Sequence, residues 1–195
     1  MARYKFKHTT EIFRTTKCFG AWSHQKNGEH YNGAFPNGFM AWLKKMGWIG
    51  EKRCYLCAGM VDDAEAVRVD IRPECRPTHC EDARHTSLPS NEFDTVILDP
   101  PYSLELAKSL YGTEKFFAGI DGFTKEAARI CKAGGVIITL TYQVPKRLHD
   151  AEFIAVCGIY TIPSTSYMRC LTVSRKLAKQ EEKHEELQTV RQSPD

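Results

Sequence analysis

This chain lacks any run of eighteen apolar residues, which excludes a helical membrane span. Its opening stretch, MARYKFKHTTEIF, lacks the apolar segment of a secretory signal, so the expected location is intracellular, in the cytoplasm. No segment repeats, and no low-complexity linker interrupts the first 174 residues. With 195 residues, 42% of them hydrophobic, the chain can build one well-formed core and is short for two. Excess charge of one sign is also missing. The net charge of +3 says little by itself about partners. Cysteine, by contrast, is plentiful, at eight residues. Several lie within apolar runs, such as 151–162 and 168–173, and buried reduced thiols are the simplest account of them.

Charge is informative in its distribution. Residues 1–27 carry Arg3, Lys5, Lys7, Arg14, Lys17 and Lys26 against Glu11 alone, a balance of +5 that leaves the remainder near −2. Tyr4, Phe6, Phe13, Phe19 and Trp22 interleave with these cations. Such a segment suits phosphate contact and base stacking. An edge strand or arm with a solvated basic face fits equally well. Asn27-Gly28 and Asn32-Gly33 mark turns, so residues 1–33 read as a basic N-terminal arm.

Further along, Pro36 to Gly47 reads as a helix with Phe39, Leu43 and Met46 on one face. Arg53 to Ala58, Ala66 to Ile71, Phe93 to Leu98 and Val136 to Thr141 read as strands. Thr124 to Lys132 reads as a helix with Thr124 as N-cap and Gly134-Gly135 beyond its end. Phe153 to Ile159 and Met168 to Val173 form a hairpin around Pro163-Ser164-Thr165-Ser166. Alternating strands and helices followed by a hairpin predict an α/β, three-layer, Rossmann-like fold. Its sheet is mainly parallel, with a C-terminal antiparallel hairpin at or near the edge. The domain spans 1–174. Residues 175–195 read as a charged tail, either a frayed helix or disordered.

Asp99-Pro100-Pro101-Tyr102 is the most informative group. It follows the strand 93–98, and two consecutive prolines stop that strand because neither can donate to a sheet ladder. A carboxylate, a fixed backbone and an aromatic ring are thus held at the carboxyl end of a strand, where open α/β sheets bind ligands. The group suits a planar ring bearing an amine. A strand-ending turn with the carboxylate on a nearby amide is the plainer alternative.

With its neighbours, this tetrad resembles the class I S-adenosylmethionine-dependent methyltransferases, and among them the amino-methyltransferases acting on DNA adenine. Cys57-Ala58-Gly59 follows the first strand, where the family has a glycine-bearing loop. Asp70 ends the second strand, where the family places an acid on the ribose hydroxyls. Asp82-Ala83 lies where an acidic residue faces the cofactor's adenine amine. Gly33-Ala34-Phe35-Pro36 is similar to the segment covering the methionine end. The resemblance spans roughly residues 32–173. It implies S-adenosylmethionine as cofactor, held by Phe35, Pro36, Cys57, Ala58, Gly59, Asp70, Asp82, Ala83 and Asp99. It implies Asp99, Pro100, Pro101 and Tyr102 as the catalytic group, a nucleic-acid substrate (DNA before RNA) and no metal.

The chemistry accounts for these residue types. A ring-conjugated amine is a poor nucleophile because its lone pair is delocalised. Asp99 and the Pro100 carbonyl can each accept one amine hydrogen, which favours a pyramidal nitrogen. Tyr102 can stack on the ring after its extrusion from a duplex.

Two departures from the family stand out. Only ten residues separate Gly59 from Asp70, too few for a full crossover helix, so that helix is missing or reduced to a turn. No sizeable recognition region is visible either, because 103–135 reads as one loop and one helix. Target choice then falls to the basic arm, the 103–121 loop, the 142–150 loop, a homodimer or a separate recognition subunit. Tyr142 ends a strand at the same sheet end and reads as a site-lining, core or rim tyrosine. Cys54-x-x-Cys57 and Cys75-x-x-x-His79-Cys80 have zinc-ligand types. Strand alternation, however, directs Cys54 and Cys57 to opposite faces. An RNA guanine or adenine amine methyltransferase and a non-catalytic nucleic-acid-binding subunit on the same fold are the competing readings.

Overall fold

The computed structural model describes residues 13–19, 25–26, 29–30, 35–111, 120–161 and 168–178. Its strands are β1 (Phe13–Phe19), β2 (Gln25–Lys26), β3 (Glu29–His30), β4 (Arg53–Leu56), β5 (Val67–Asp70), β6 (His79–Cys80), β7 (Phe93–Leu98), β8 (Cys131–Thr141), β9 (Ala151–Thr161) and β10 (Arg169–Lys176). Its helices are α1 (Phe39–Lys45), α2 (Leu104–Tyr111) and α3 (Asp121–Ile130). Eight strands form one sheet in the order β1-β9-β10-β8-β7-β4-β5-β6, and β2 pairs with β3 apart from it. Only β10 runs against its neighbours in the large sheet. This is a mainly parallel, Rossmann-like sheet with one further parallel strand, β1, on its edge.

Pleating explains why both faces are covered. Along β4, Tyr55 joins one apolar cluster while Cys54 and Leu56 join the other. Ile97 and Ile138 face the first cluster, and Val96, Leu98 and Ile137 the second. Phe39 and Leu43 of α1 cover the first face, with Trp48 beside them. Phe123, Ala127 and Ile130 of α3 cover the second. Strands apolar on both sides are what a parallel sheet between two helical layers requires.

Several boundaries differ from the sequence reading. Helix α1 begins at Phe39 rather than Pro36, because Gly38 is left-handed (φ 86) and the Pro36 carbonyl accepts the Phe39 amide. Helix α3 begins at Asp121, so Thr124 lies inside it and not at its cap. The Thr124 hydroxyl donates back to the carbonyls of Ile120 (3.4 Å) and Asp121 (3.2 Å), the usual mid-helix arrangement for threonine. Cys131 and Lys132 belong to β8, not to the helix. Strand β8 therefore contains Gly134-Gly135, and its register with β7 shifts between Phe93 and Thr95. A Cβ on Gly135 would meet Cys131 Sγ at 2.7 Å and the carbonyls of Lys132 and Asp94 at 2.9 and 3.0 Å. Gly135→Ala is therefore expected to destabilise the fold by about 1–3 kcal/mol in urea unfolding. An unchanged midpoint would refute this.

The antiparallel strand lies near the sheet edge, as expected, with β10 third from the end because β1 pairs in parallel with β9 outside the hairpin. Residues 13–19 are thus an edge strand, not a free arm, and Lys17 is exposed on it. Apart from β2 and β3, the rest of the expected arm lies outside the described residues, as do the 163–166 turn and the chain from 179 onward. Strand β10 continues to Lys176, two residues into the expected tail. The Lys176 ammonium donates to the carbonyls of Ala128 and Cys131 (both 2.6 Å) and to Asn91 Oδ1 (2.8 Å). A cation there satisfies the end of α3. Helix α2 adds a second helix where the sequence reading has a loop. Its residues Leu104 to Leu110 are mostly strong helix formers.

The crossover between β4 and β5 contains only turns, as its length predicts. Asp63 fastens it. Its carboxylate accepts Arg53 Nε and Nη2 at 2.6 and 2.7 Å and the Tyr55 hydroxyl at 2.9 Å, and Arg53 also reaches Glu65 at 3.0 Å. Val61 and Ala66 of this stretch are buried in the first cluster, where they cover part of the face a helix would otherwise cover.

Candidate active site

Strands β4, β5 and β7 are parallel, so Cys57, Asp70 and Asp99 meet at one end of the sheet. Strand β4 stops at Leu56 because Cys57 takes a left-handed conformation (φ 58). Gly59 is left-handed as well (φ 52), and its amide donates to Asp70 Oδ2 at 2.7 Å. The Ala58 amide donates to the Val69 carbonyl at 2.9 Å. The short loop is thereby tied to the end of β5.

Asp70 is buried, with 5% of its surface exposed. Besides Gly59, it accepts the Arg72 backbone amide at 3.0 Å and Arg72 Nε at 3.2 Å. Asp82 follows β6 and accepts Arg84 through its amide (2.9 Å), Nε (2.9 Å) and Nη2 (2.5 Å). Arg84 holds the Asp82 carboxyl below the usual carboxylate range. The Arg84 guanidinium carbon also lies 6.0 Å from the Phe123 ring. The segment after Asp82 is anchored by Glu126, a buried carboxylate on α3. It accepts the Thr86 amide at 2.8 Å and hydroxyl at 2.5 Å and pairs with Arg129 at 2.7 Å.

Asp99 accepts the Tyr102 hydroxyl at 2.5 Å, with Arg169 Nη1 at 3.8 Å from its other oxygen. Burial raises the Asp99 pKa above its ordinary value, opposed by Arg169 and by the Tyr102 hydrogen bond. The Tyr102 ring lies 4.3 Å from the Tyr142 ring and 5.1 Å from the Arg169 guanidinium carbon. A cleft of about 390 Å³ opens here, lined by Pro100, Pro101, Tyr102, Ile120, Thr141 and Tyr142 among others.

The charges of all three aspartates bear on one residue, Cys57. Burial pushes the Cys57 thiol well above its usual range, and the fields of Asp70, Asp99 and Asp82 push it further. Ala58 and Ala83 are buried core residues beside this point. Phe35 is half-buried against Phe39 (5.2 Å between ring centroids) and Tyr55 (6.1 Å), and Pro36 is buried.

Cys54 and Cys57 do not face opposite ways. Because the strand ends at Leu56, both pack on the second cluster. Among the described residues, no group of three His, Cys, Asp or Glu side chains is placed to hold a metal ion. Arg72, Arg84 and Arg169 were not singled out by the sequence reading. The Asp-x-Arg spacing at 70–72 and 82–84 is the signal that would have found the first two. Tyr142 is not a core residue, since 46% of it is exposed.

No family model matches the chain, and no curated protein matches it. Solved structures do resemble it. The methyltransferase yhhF of Escherichia coli is 10% identical over 80% of this chain and 97% of its own, with a TM-score of 0.48. An S-adenosylmethionine-dependent O-methyltransferase from Thermotoga maritima is 12% identical over 77% of this chain and 69% of its own, also at 0.48. TrmN from Thermus thermophilus is 17% identical over 71% of this chain and 48% of its own, at 0.44. At these identities the likeness is one of fold. Among the described residues, no helix is long and apolar enough to cross a membrane.

Proposed function

We propose that this chain is an S-adenosylmethionine-dependent methyltransferase acting on an exocyclic ring amine, adenine N6 in DNA. The observation that supports this best is the placement of Asp70, Asp82 and Asp99 at or just beyond the carboxyl ends of the parallel strands β5, β6 and β7, at one end of the sheet, beside a cleft lined by Pro100, Pro101 and Tyr102. Three carboxylates at one sheet end suit the proposed cofactor, which combines ribose hydroxyls, an adenine amine and a sulfonium cation. In this reading Asp70 takes the hydroxyls and Asp82 the adenine amine, each on release of its arginine. When bound, the cofactor supplies an electrophilic methyl group.

The protein's part is positional. Asp99 and the Pro100 carbonyl each accept one hydrogen of the acceptor amine. This draws the nitrogen out of conjugation and aims its lone pair into the site. Asp99 must be ionised to accept, and its pKa is raised. The transfer rate is therefore expected to fall as pH drops, with a midpoint above that of an ordinary carboxylate, and to level off above it. The sign for stability is the reverse. A folded-state pKa above the unfolded one means that Asp99 favours the fold when protonated and costs stability once ionised. A rate that stays flat down to pH 4 would exclude Asp99 as the acceptor.

The direct test is transfer from tritiated cofactor to unmethylated genomic DNA and to total RNA, followed by nucleoside analysis. N6-methyladenine in DNA is the expected product. Methylguanine in RNA would move the assignment to the competing RNA enzyme. The absence of transfer to either, together with no calorimetric binding of the cofactor, would favour the non-catalytic subunit.

A further inference from the structure

We infer that the acceptor ring stacks on Tyr142, while Tyr102 is a positioning residue that holds Asp99. This rests on the reading of the cleft as the acceptor site and departs from the sequence expectation, which gives the stacking role to Tyr102.

Tyr102 is already engaged. Its hydroxyl is 2.5 Å from Asp99 Oδ1, which ties its ring to the end of β7. The Arg169 guanidinium and the Tyr142 ring lie against it at 5.1 and 4.3 Å. A base seated on the Tyr102 ring would have to displace one of them or break the hydrogen bond to Asp99. Tyr142 carries no such constraint on its outer side. It lines the same cleft, and 46% of it is exposed. Val144, also lining the cleft, is 49% exposed, and Pro145 stands beside it. A planar ring entering between Pro100-Pro101 and the 142–145 segment meets the Tyr142 face first. For its amine to meet Asp99, that edge must turn inward past Pro100, the residue that follows Asp99.

The test is fluorescence of a single-stranded oligonucleotide carrying 2-aminopurine, an adenine analogue quenched by aromatic stacking. It is titrated with wild type, Tyr142→Ala, Tyr142→Phe and Tyr102→Phe. Methyl transfer by the same proteins is followed with unmethylated genomic DNA. Base–aromatic stacking is worth about 1–3 kcal/mol per base, which corresponds to roughly 5- to 150-fold in affinity. Tyr142→Ala is expected to lose the quench and weaken binding within that range, and Tyr142→Phe, which keeps the ring, to restore both. Tyr102→Phe is expected to retain the quench while moving the acidic limb of the rate profile to higher pH, because it removes the hydrogen bond that opposes burial of Asp99. Quenching by Tyr142→Ala equal to wild type would overturn the inference. So would loss of the quench in Tyr102→Phe, or absence of quenching by wild type. Wild-type quenching that depends on Tyr142 without methyl transfer would uphold the stacking assignment and reject the proposed reaction.

Discussion

Asp99→Ala is expected to lower methyl transfer by about 10²- to 10⁴-fold, the usual loss when a positioned proton acceptor is removed. The cofactor should still bind, because Asp70 and Asp82 stand on separate strands and loops. Asp99→Asn is the sharper version. It keeps the shape and removes the charge. Its amide can turn a donor toward Tyr102 or toward the substrate amine, where an acceptor is needed. Both variants should fold. Burial raises the Asp99 pKa and so sets its ionised form against the fold, and neither replacement removes a net stabilising charge, although each removes the carboxylate that lies 3.8 Å from Arg169. Thermal melts within a few degrees of wild type, with activity lost, would fit a residue kept for chemistry at the expense of stability. Transfer by Asp99→Asn at more than a tenth of the wild-type rate would remove Asp99 from the reaction.

The largest expected loss of stability lies elsewhere. Asp63→Ala should cost about 3–5 kcal/mol, because it leaves Arg53 buried without its main counter-charge. For a domain of this size each kcal/mol moves the melting temperature by about 2–4 °C, so a fall of roughly 6–20 °C is expected. Tyr55→Phe removes one hydrogen bond to Asp63 and should cost about 1 kcal/mol. The pair also sets a pH dependence. Arg53 holds the Asp63 carboxyl below its usual range, so this stability is present above the unfolded value and lost as pH falls through the lower folded one. Replacing both partners with apolar residues, Arg53→Met with Asp63→Leu, should recover much of the loss. A single-variant loss below 1 kcal/mol in urea unfolding would show that the loop is held by Val61 and Ala66 instead.

Asp63 also shows what the sequence could and could not convey. The ten-residue spacing from Gly59 to Asp70 announces that a helix is missing, because chain length limits a crossover whatever its side chains do. What replaces the helix is not legible. Arg53, Tyr55 and Asp63 are brought together by strand pleating and a turn, and no local periodicity records that. Strand positions were readable where apolar runs end at Pro-Pro or an aspartate. The Thr124 cap was misread because a threonine that bonds back within a helix looks, in sequence, like one that begins it. Cys57 was misread because a cysteine at positive φ breaks the alternation that any strand pattern assumes. At the site, Asp70, Asp82 and Asp99 were legible from their places in the element order. Arg169 was not, since it reaches Asp99 from β10, seventy residues further along the chain.

The parallel pairing of β1 with β9 bears on how the chain is made. Strand β1 is synthesised well before its partner, which spans Ala151–Thr161. At about 5–20 residues per second, synthesis separates the two by on the order of ten to thirty seconds. During that interval the segment Phe13–Phe19 has no sheet to join. Even afterwards it must close a loop of more than a hundred residues, a slow kind of contact to form. Strand β1 is thus made before the strands it must join and is among the last to find its place, and the central strands β4, β7 and β8 can assemble without it.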